Sequence, residues 1–463
     1  MKNPARAGTS GAASVVMSCM LLLSGPVAES APLQSPAGLP AGVERGGAFK
    51  GSVPVAPAAT NDEFRENYFF GDWLGLRPLL ASRGIALQVL VINDPFGNVT
   101  GGKETGFTDY NLLCVDLTAD TEKLIGWPGG KFHIGFADNA GTSLSDSVVG
   151  NTFPIQLADV APVGPRLTYL SYTQSLFEDK LSLRAGRLTI NSVYDEEFAA
   201  SPYFNAFSSV AFNLIPMGIF LNAPGAFGYP LTTWGARIKF EPVESFYAMA
   251  GCYNGDPGVK DANRYGLDFT FNGPPFVIGE VGYRRNPGKD AAGLPGNLKA
   301  GVYFNGGNTA EFGSGSTSRG RYGFYFLGDQ SLVRWGDRAE NRHLGIFGAF
   351  VCAPDQSVNT MPYFFDAGLV AYGPMECRPK DFIAAGAAYG AFSSDLRGEQ
   401  KGLQKTDPSV AVQTCEMTLE LSYGCQVRPG LLVQPALQYI VNPGGDRSVP
   451  GALAIGANIV VSF

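Results

Sequence analysis

Gly97, Gly102 and Lys103 in the stretch GNVTGGKE stand at the spacing of a phosphate-binding loop, behind an apolar run from Ala86 to Ile92. In such a loop backbone N–H groups and the lysine hold phosphate while a following Ser or Thr hydroxyl holds magnesium. Here Glu104 takes the hydroxyl's place, and TGFTDYN after it supplies no helix N-terminus to face an anion. Nucleotide chemistry is therefore not expected. Hydrolysis by a Ser/His/Asp set would have to use His133 or His343, and neither lies in a nucleophile-elbow context. Asp195, Glu196 and Glu197 suggest glycosidase carboxylates, but neighbours on a strand point to opposite faces, and an acidic run in a loop is ordinarily solvated surface. Beyond the N-terminal region the cysteines are Cys114, Cys252, Cys352, Cys377, Cys415 and Cys425, with no zinc spacing among them. Neither metal nor cofactor is implied. Cys415 and Cys425 lie too far apart on one extended segment to bond, about 33 Å at the usual rise. A Cys377–Cys425 bond between neighbouring turns is possible, with free thiols the simpler expectation.

The other chemistry-bearing residues are charges that recur at alternate positions. Around Cys415 to Cys425, Glu416, Thr418, Glu420 and Ser422 share one face, and Met417, Leu419, Leu421 and Tyr423 the other. Arg237 and Lys239 alternate with Trp234, Ala236, Ile238 and Phe240; Asp268 alternates with Tyr265, Leu267, Phe269 and Phe271. The period of two is that of strands. Similar segments start near residues 87, 111, 131, 181, 277, 298, 344, 363 and 431, and the sequence closes on GALAIGANIVVSF, apolar at every odd position from Leu453 to Phe463.

Composition decides which strand architecture this is. Charged residues make up 16% of the 463, with 60 Gly, 32 Phe and 19 Tyr, against roughly 25% charged in soluble domains. No apolar run long enough for a membrane helix follows the N-terminal region. A net charge of −7 argues against nucleic acid as a partner. Segments of about ten alternating residues separated by Gly, Pro and Asp turns are the mark of an all-β, transmembrane antiparallel β-barrel, lipid on one face and water on the other. Hydrocarbon leaves no open sheet edge, so the barrel must close. Tyr253, Tyr265, Tyr283, Tyr423, Tyr439 and Phe463 are expected as interfacial girdles. About seventeen candidate strands can be marked, while bacterial barrels have an even number, so 16 or 18 is expected. The weakest candidate is 322–335, and Pro435 predicts a bulge or kink in its strand.

The polar faces then point into the lumen, with Arg184, Arg237, Lys239, Asp268, Glu280, Arg284, Asp366, Glu416 and Glu420 as candidate pore-lining residues in contact with water. Mixed signs favour neither anions nor cations strongly and offer bidentate hydrogen-bond partners to neutral polyols. Residues 1–31 read as a secretory signal: Lys2 and Arg6, an apolar stretch over 12–27, then small residues. The apolar run continues past Cys19, which disfavours a lipoprotein site there. Residues 32–60, rich in Ala, Pro, Gly and Ser, read as a flexible leader. Over 61–84 a short periplasmic helical segment is predicted, capped by Asp72 and stopped by Gly84, with Pro78 a conflict. The barrel takes 85–463. The stretch 191–233 is too long for a turn and rich in aromatics, so it should be functional or folded back.

GDWLGLRPLLASRGI, WPGGKFHI, YTQSLFEDKLSLRAGRLTINSVY and the closing VQPALQYIVNPGGDRSVPGALAIGANIVVSF together resemble the carbohydrate-selective porins of the OprB family, over roughly residues 64–463. Leu74 stands where that family usually has glycine. The resemblance implies a barrel of about sixteen strands in the bacterial outer membrane, with sugars diffusing through a narrow, charged constriction. It places Arg184 and Arg187, in LRAGRL, among candidate constriction residues. Phe463, an aromatic after alternating apolar positions, resembles the signal read by the barrel-assembly machinery. The expected function is passive diffusion of mono- and small oligosaccharides into the periplasm. A general or differently specific diffusion porin, and a secreted β-rich glycosidase, are the alternatives; monomer and trimer both remain open.

Overall fold

The computed structural model describes residues 61–463 except 161–162, 191–197, 202, 204–205, 214, 224–227, 256–264, 288–292 and 336–341, with the side chains of 61–63 also left aside. The signal and leader expected over 1–60, and the acidic run 195–197, lie outside the described residues. Sixteen strands close into one antiparallel barrel in which each pairs with its chain neighbours and β1 meets β16. They are β1 (Ile85–Thr100), β2 (Gly106–Asp120), β3 (Gly130–Gly141), β4 (Gly164–Leu176), β5 (Leu181–Leu188), β6 (Thr233–Val243), β7 (Phe246–Asn254) and β8 (Pro275–Arg285). The second half comprises β9 (Gly296–Ala310), β10 (Thr317–Arg334), β11 (His343–Cys352), β12 (Tyr363–Tyr372), β13 (Phe382–Ala391), β14 (Cys415–Arg428), β15 (Leu431–Val441) and β16 (Ala452–Ser462).

The wall is inside-out relative to a soluble sheet. On β14, Glu420 is 4% exposed, whereas its neighbour Leu421 is 53% exposed on the outer face. The same holds on β16, where Ala454, Asn458 and Ser462 are buried inward and Ile455 is exposed. Each strand is laddered to a neighbour on both sides around the closed circle, as hydrocarbon requires. Short turns such as 177–180, 244–245 and 429–430 gather at one end and long loops 142–163, 189–232, 255–274 and 392–414 at the other. In outer-membrane barrels those ends are periplasmic and extracellular respectively.

Four expectations are corrected. The segment 322–335, the weakest candidate, belongs to β10, the longest strand. The surplus candidate is instead 265–271, which joins no ladder. Its Tyr265 carbonyl accepts the Leu167 N–H at 2.9 Å, and Gly266, at φ 70, is packed against the Leu167 backbone where a Cβ would collide. β5 is short and leaves β4 an unpaired edge there, which this segment covers. Pro435 pairs in register with Ala457 and causes no bulge; the shift in that hairpin lies between Gln426 and Arg428. Tyr253 is buried on the inward face, not at a girdle.

At the periplasmic end, α1 (Asn61–Asn67) and α2 (Leu76–Ser82) precede β1. The helix starts at Leu76 behind Gly75, not at Asp72, so Pro78 falls in the first turn where its missing N–H costs nothing. The remaining short helices used below are α3 (Thr121–Ile125) and α4 (Met217–Asn222). Cys377 and Cys425 are free thiols, and an Arg378 guanidinium N–H lies 2.9 Å from the Cys425 sulfur.

Candidate functional site

The lumen is narrowed by two extracellular loops folded inward. In loop 142–163, Leu144, Val149, Phe153, Ile155 and Leu157 are buried; in loop 189–232, Ile190, Phe198, Tyr203, Phe207, Phe212 and Ile219 are buried. Of the aromatics that made 191–233 conspicuous, Phe198, Tyr203, Phe207, Phe212 and Tyr229 form a core inside the barrel while Phe220 is exposed, and α4 packs near β10, β11 and β12.

A loop inside a barrel cannot join its ladders, so its backbone polar groups need other partners. The inward side chains of the wall supply them. Glu420 accepts the Ser208 N–H at 2.6 Å, the Ser208 hydroxyl at 2.9 Å and the Ser209 N–H at 2.8 Å. Glu280 accepts the Ala199 N–H at 2.7 Å together with the hydroxyls of Tyr247 and Tyr325. Glu416 accepts the N–H groups of Thr152, Phe153 and Gly444, and Asp94 that of Ala158. Loop carbonyls are met by donors: Ser422 and Gln434 both donate to Ala206, Gln438 to Ile155, and Lys299 to Ala200. Acceptors meet N–H groups and donors meet carbonyls along two loops, which fixes their depth in the bore. The carboxylates at 280, 416 and 420 thus face inward as expected, but they are buried against loop backbone rather than open to water. Asp366 is buried inward as well.

The cations are largely covered too: Arg184, Arg237 and Arg284 face inward as expected but are 6%, 8% and 5% exposed rather than open to water. Arg166, Arg184, Arg237, Lys239, Arg284, Lys299 and Arg321 all stand on β4 to β10. Arg184 and Arg237 are cross-strand partners on one face. An Arg184 guanidinium N–H donates to His133 Nδ1 at 3.1 Å, and His133 Nε2 lies 2.8 Å from Asp116 Oδ1. Arginine only donates, so Nδ1 accepts and Nε2 carries the proton shared with Asp116. Arg184 also lies over the Tyr169 ring, on which His133 stacks at 4.2 Å. Arg237 reaches the Ser182 hydroxyl at 3.0 Å. Lys239 and Arg284 share Glu241 at 2.7 and 2.6 Å and flank the Tyr247 ring. Such a sector gathers cationic donors and flat ring faces, chemistry suited to hydroxyl-rich solutes, in a layer that is itself largely covered.

Two candidates depart from the lumen. Arg187 shares an outward register position with Leu170 and Trp234 and is buried beneath 265–271, donating to the carbonyls of Asp268 and Thr232 at 2.8 and 2.9 Å. Asp268 itself sits on that segment, its carboxylate accepting the Thr270 N–H. Arg187 lies three residues after inward Arg184 in an unbroken register, so strict alternation turns it outward; the resemblance, not the alternation, groups the two in a constriction. His133 and Asp116 were missed as partners of Arg184; both fall on inward alternate positions, so the same count locates them in retrospect. In loop 142–163, burial raises the Asp159 carboxyl to about 6, against the lowering Ser143 hydrogen bond, with Asp146 raising it further.

Phe463 ends the outward face of β16. Its N–H donates to the Val89 carbonyl at 2.8 Å, its ring meets Phe69 and Phe70, and its carbonyl accepts from Arg77.

Residues 105–463 match the model of the carbohydrate-selective porin, OprB family. The chain is 27% identical over 442 residues to Porin B of Pseudomonas aeruginosa, covering 88% of this chain and 94% of that protein. It is 24% identical over 425 residues to a putative porin, QuiX, of Acinetobacter baylyi, covering 86% and 93%. The high-pH structure of OprB from Pseudomonas putida superimposes with a TM-score of 0.79 at 23% identity, covering 88% of this chain and all of that one.

Proposed function

The chain belongs to the carbohydrate-selective porin family OprB, and from that premise we propose how its own residues carry passive sugar diffusion across the bacterial outer membrane. The observation that carries the reading is the clamped loop 189–232: Glu280 on β8 and Glu420 on β14 hold it inside the barrel whose wall carries Arg184, Arg237 and Lys239 on β5 and β6. A solute passing between them exchanges water hydrogen bonds for fixed donors and acceptors. A neutral polyol suits both signs; a bare ion meets attraction on one side and repulsion on the other. Arg184 and Arg237 are the residues assigned to the sugar, Glu280, Glu416 and Glu420 to bore geometry, and Lys239 and Arg284 to the periplasmic exit.

In the same reading, residues 1–31 are an export signal removed on translocation, 32–60 a leader, 61–84 a periplasmic segment and 85–463 the channel. Phe463 serves recognition by the barrel-assembly machinery. Reconstituted liposomes should swell faster with monosaccharides than with amino acids or salts of equal size. Equal rates would leave only a general pore. The density of cations on β4 to β10 favours a second reading, a porin for carboxylated polyols, which would show as gluconate swelling faster than glucose.

A further inference from the structure

Below the barrel, the segment joining α1 to β1 carries apolar side chains that the described residues do not cover. Phe70 is 53% exposed and Leu74 104%, with Leu76 and Leu79 also exposed. Leu74 sits in left-handed backbone at φ 58, between Trp73 at φ 52 and Gly75 at φ 89. That conformation disfavours any residue with a Cβ, and glycine would adopt it freely. Neither local conformation nor packing among the described residues accounts for a leucine there.

The segment is firmly held. Arg77 is buried with its guanidinium 3.7 Å from the Tyr68 ring centre and 4.2 Å from that of Trp73, and it donates to the Phe463 carbonyl. The Phe69 N–H donates to Ser462 at 2.8 Å, and Arg428 donates to the Phe69 carbonyl at 3.2 Å. Gly430, at φ 69, lets the turn lie directly against Phe69, where a Cβ would overlap the backbone. Thus an ordered scaffold projects the leucines.

It projects them from the foot of the lipid-facing wall. The Phe70 ring lies 5.3 Å from that of Phe463, which follows Val461 on the outward face of β16. On its other side α2 adjoins α3, where Lys123 Nζ donates to the Ala81 carbonyl at 3.3 Å. There Ile125 is 76% exposed, Trp127 is exposed too, and outward Phe132 follows on β3. Apolar exposure therefore continues from the wall of β16, under β1 and β2, to the wall of β3.

We propose that this collar, from Phe70 through Leu74 and Leu79 to Ile125 and Trp127, is a membrane-inserted foot whose partner is the phospholipid of the periplasmic leaflet. Apolar side chains continuous with a lipid-facing belt, with an indole among them, belong at the headgroup–acyl boundary. The proposal rests on the barrel spanning the outer membrane. In the test, full-length protein is reconstituted in phospholipid bilayers with a photo-crosslinking benzoylphenylalanine at position 74, at 79, or at 421 in the outward face of β14. Heat-modifiable migration verifies folding of each, and mass spectrometry reads adducts after irradiation. Phospholipid adducts at 421 and at 74 or 79 are expected. Adducts at 421 but at neither 74 nor 79 would overturn the foot alone; no adduct at 421 would overturn the membrane-spanning reading and the foot with it.

Discussion

Glu420→Gln tests the loop clamp with the least change of shape. The carboxylate spreads three hydrogen bonds over two oxygens, Ser208 N–H and hydroxyl on one and Ser209 N–H on the other. An amide keeps one acceptor and turns an N–H toward a backbone donor. One charge-assisted bond is lost, worth about 1.5–3 kcal/mol, and a buried N–H is left unsatisfied. A net cost near 3 kcal/mol raises the undocked population of loop 189–232 about a hundredfold, at roughly 1.4 kcal/mol per decade. Because Glu280 still holds Ala199, the loop should loosen locally around 206–213 rather than leave the barrel. Planar-bilayer recordings should show frequent upward excursions in single-channel current, and swelling assays a rise in disaccharide over monosaccharide uptake. Adding Glu280→Gln should exceed the sum of the single effects, since the two carboxylates restrain one loop. Native-like current noise and native size selectivity in Glu420→Gln would refute the clamp, whatever its effect on expression.

Arg184→Ala and Arg237→Ala should each weaken sugar block of the current severalfold, and Arg184→Lys should not restore it because lysine lacks the planar fork that reaches His133 and Ser171 together. Arg77→Ala should lower the temperature of the heat-modifiable transition with single-channel conductance unchanged, since stacking on Tyr68 and Trp73 is worth about 1–2 kcal/mol and lies away from the bore. Loss of Phe463 should reduce outer-membrane levels more than it alters the conductance of assembled channels; normal levels would leave it a girdle aromatic. The Asp159 carboxyl, raised to about 6, favours docking of loop 142–163 at low pH: the contribution is complete below about pH 4 and is lost as pH rises through 6, roughly 2–3 kcal/mol in all. Current noise should therefore grow between about pH 4 and 6 and level off above, and Asp159→Asn should flatten that dependence.

The alternation of Glu416, Thr418 and Glu420 with Met417, Leu419 and Leu421 was enough to place lipid outside and polar groups inside, because strand geometry allows only two faces. It could not say whether inward carboxylates meet water or protein. That depended on loops returning through the lumen, whose contacts join residues 208 and 420, far apart in sequence. Tyr265 to Phe271 alternates as well as any strand yet lies over the β4 edge, since an exposed extended segment and a ladder strand share one pattern. Arg187 was misplaced because the resemblance was followed over the count, which puts a residue three beyond inward Arg184 on the outward face. Tyr253 carried no mark separating an inward tyrosine from a girdle one, because neighbours across strands, not spacing along one, decide it.

The central claim is that sugar passes by binding between the clamped loop and the Arg184–Arg237 sector. Its most direct test is the single-channel ionic current of the native protein as glucose is added. The account predicts a saturable fall in conductance, weakened in Arg184→Ala. A fall that only tracks solution viscosity, equal in native and variant channels, would contradict it.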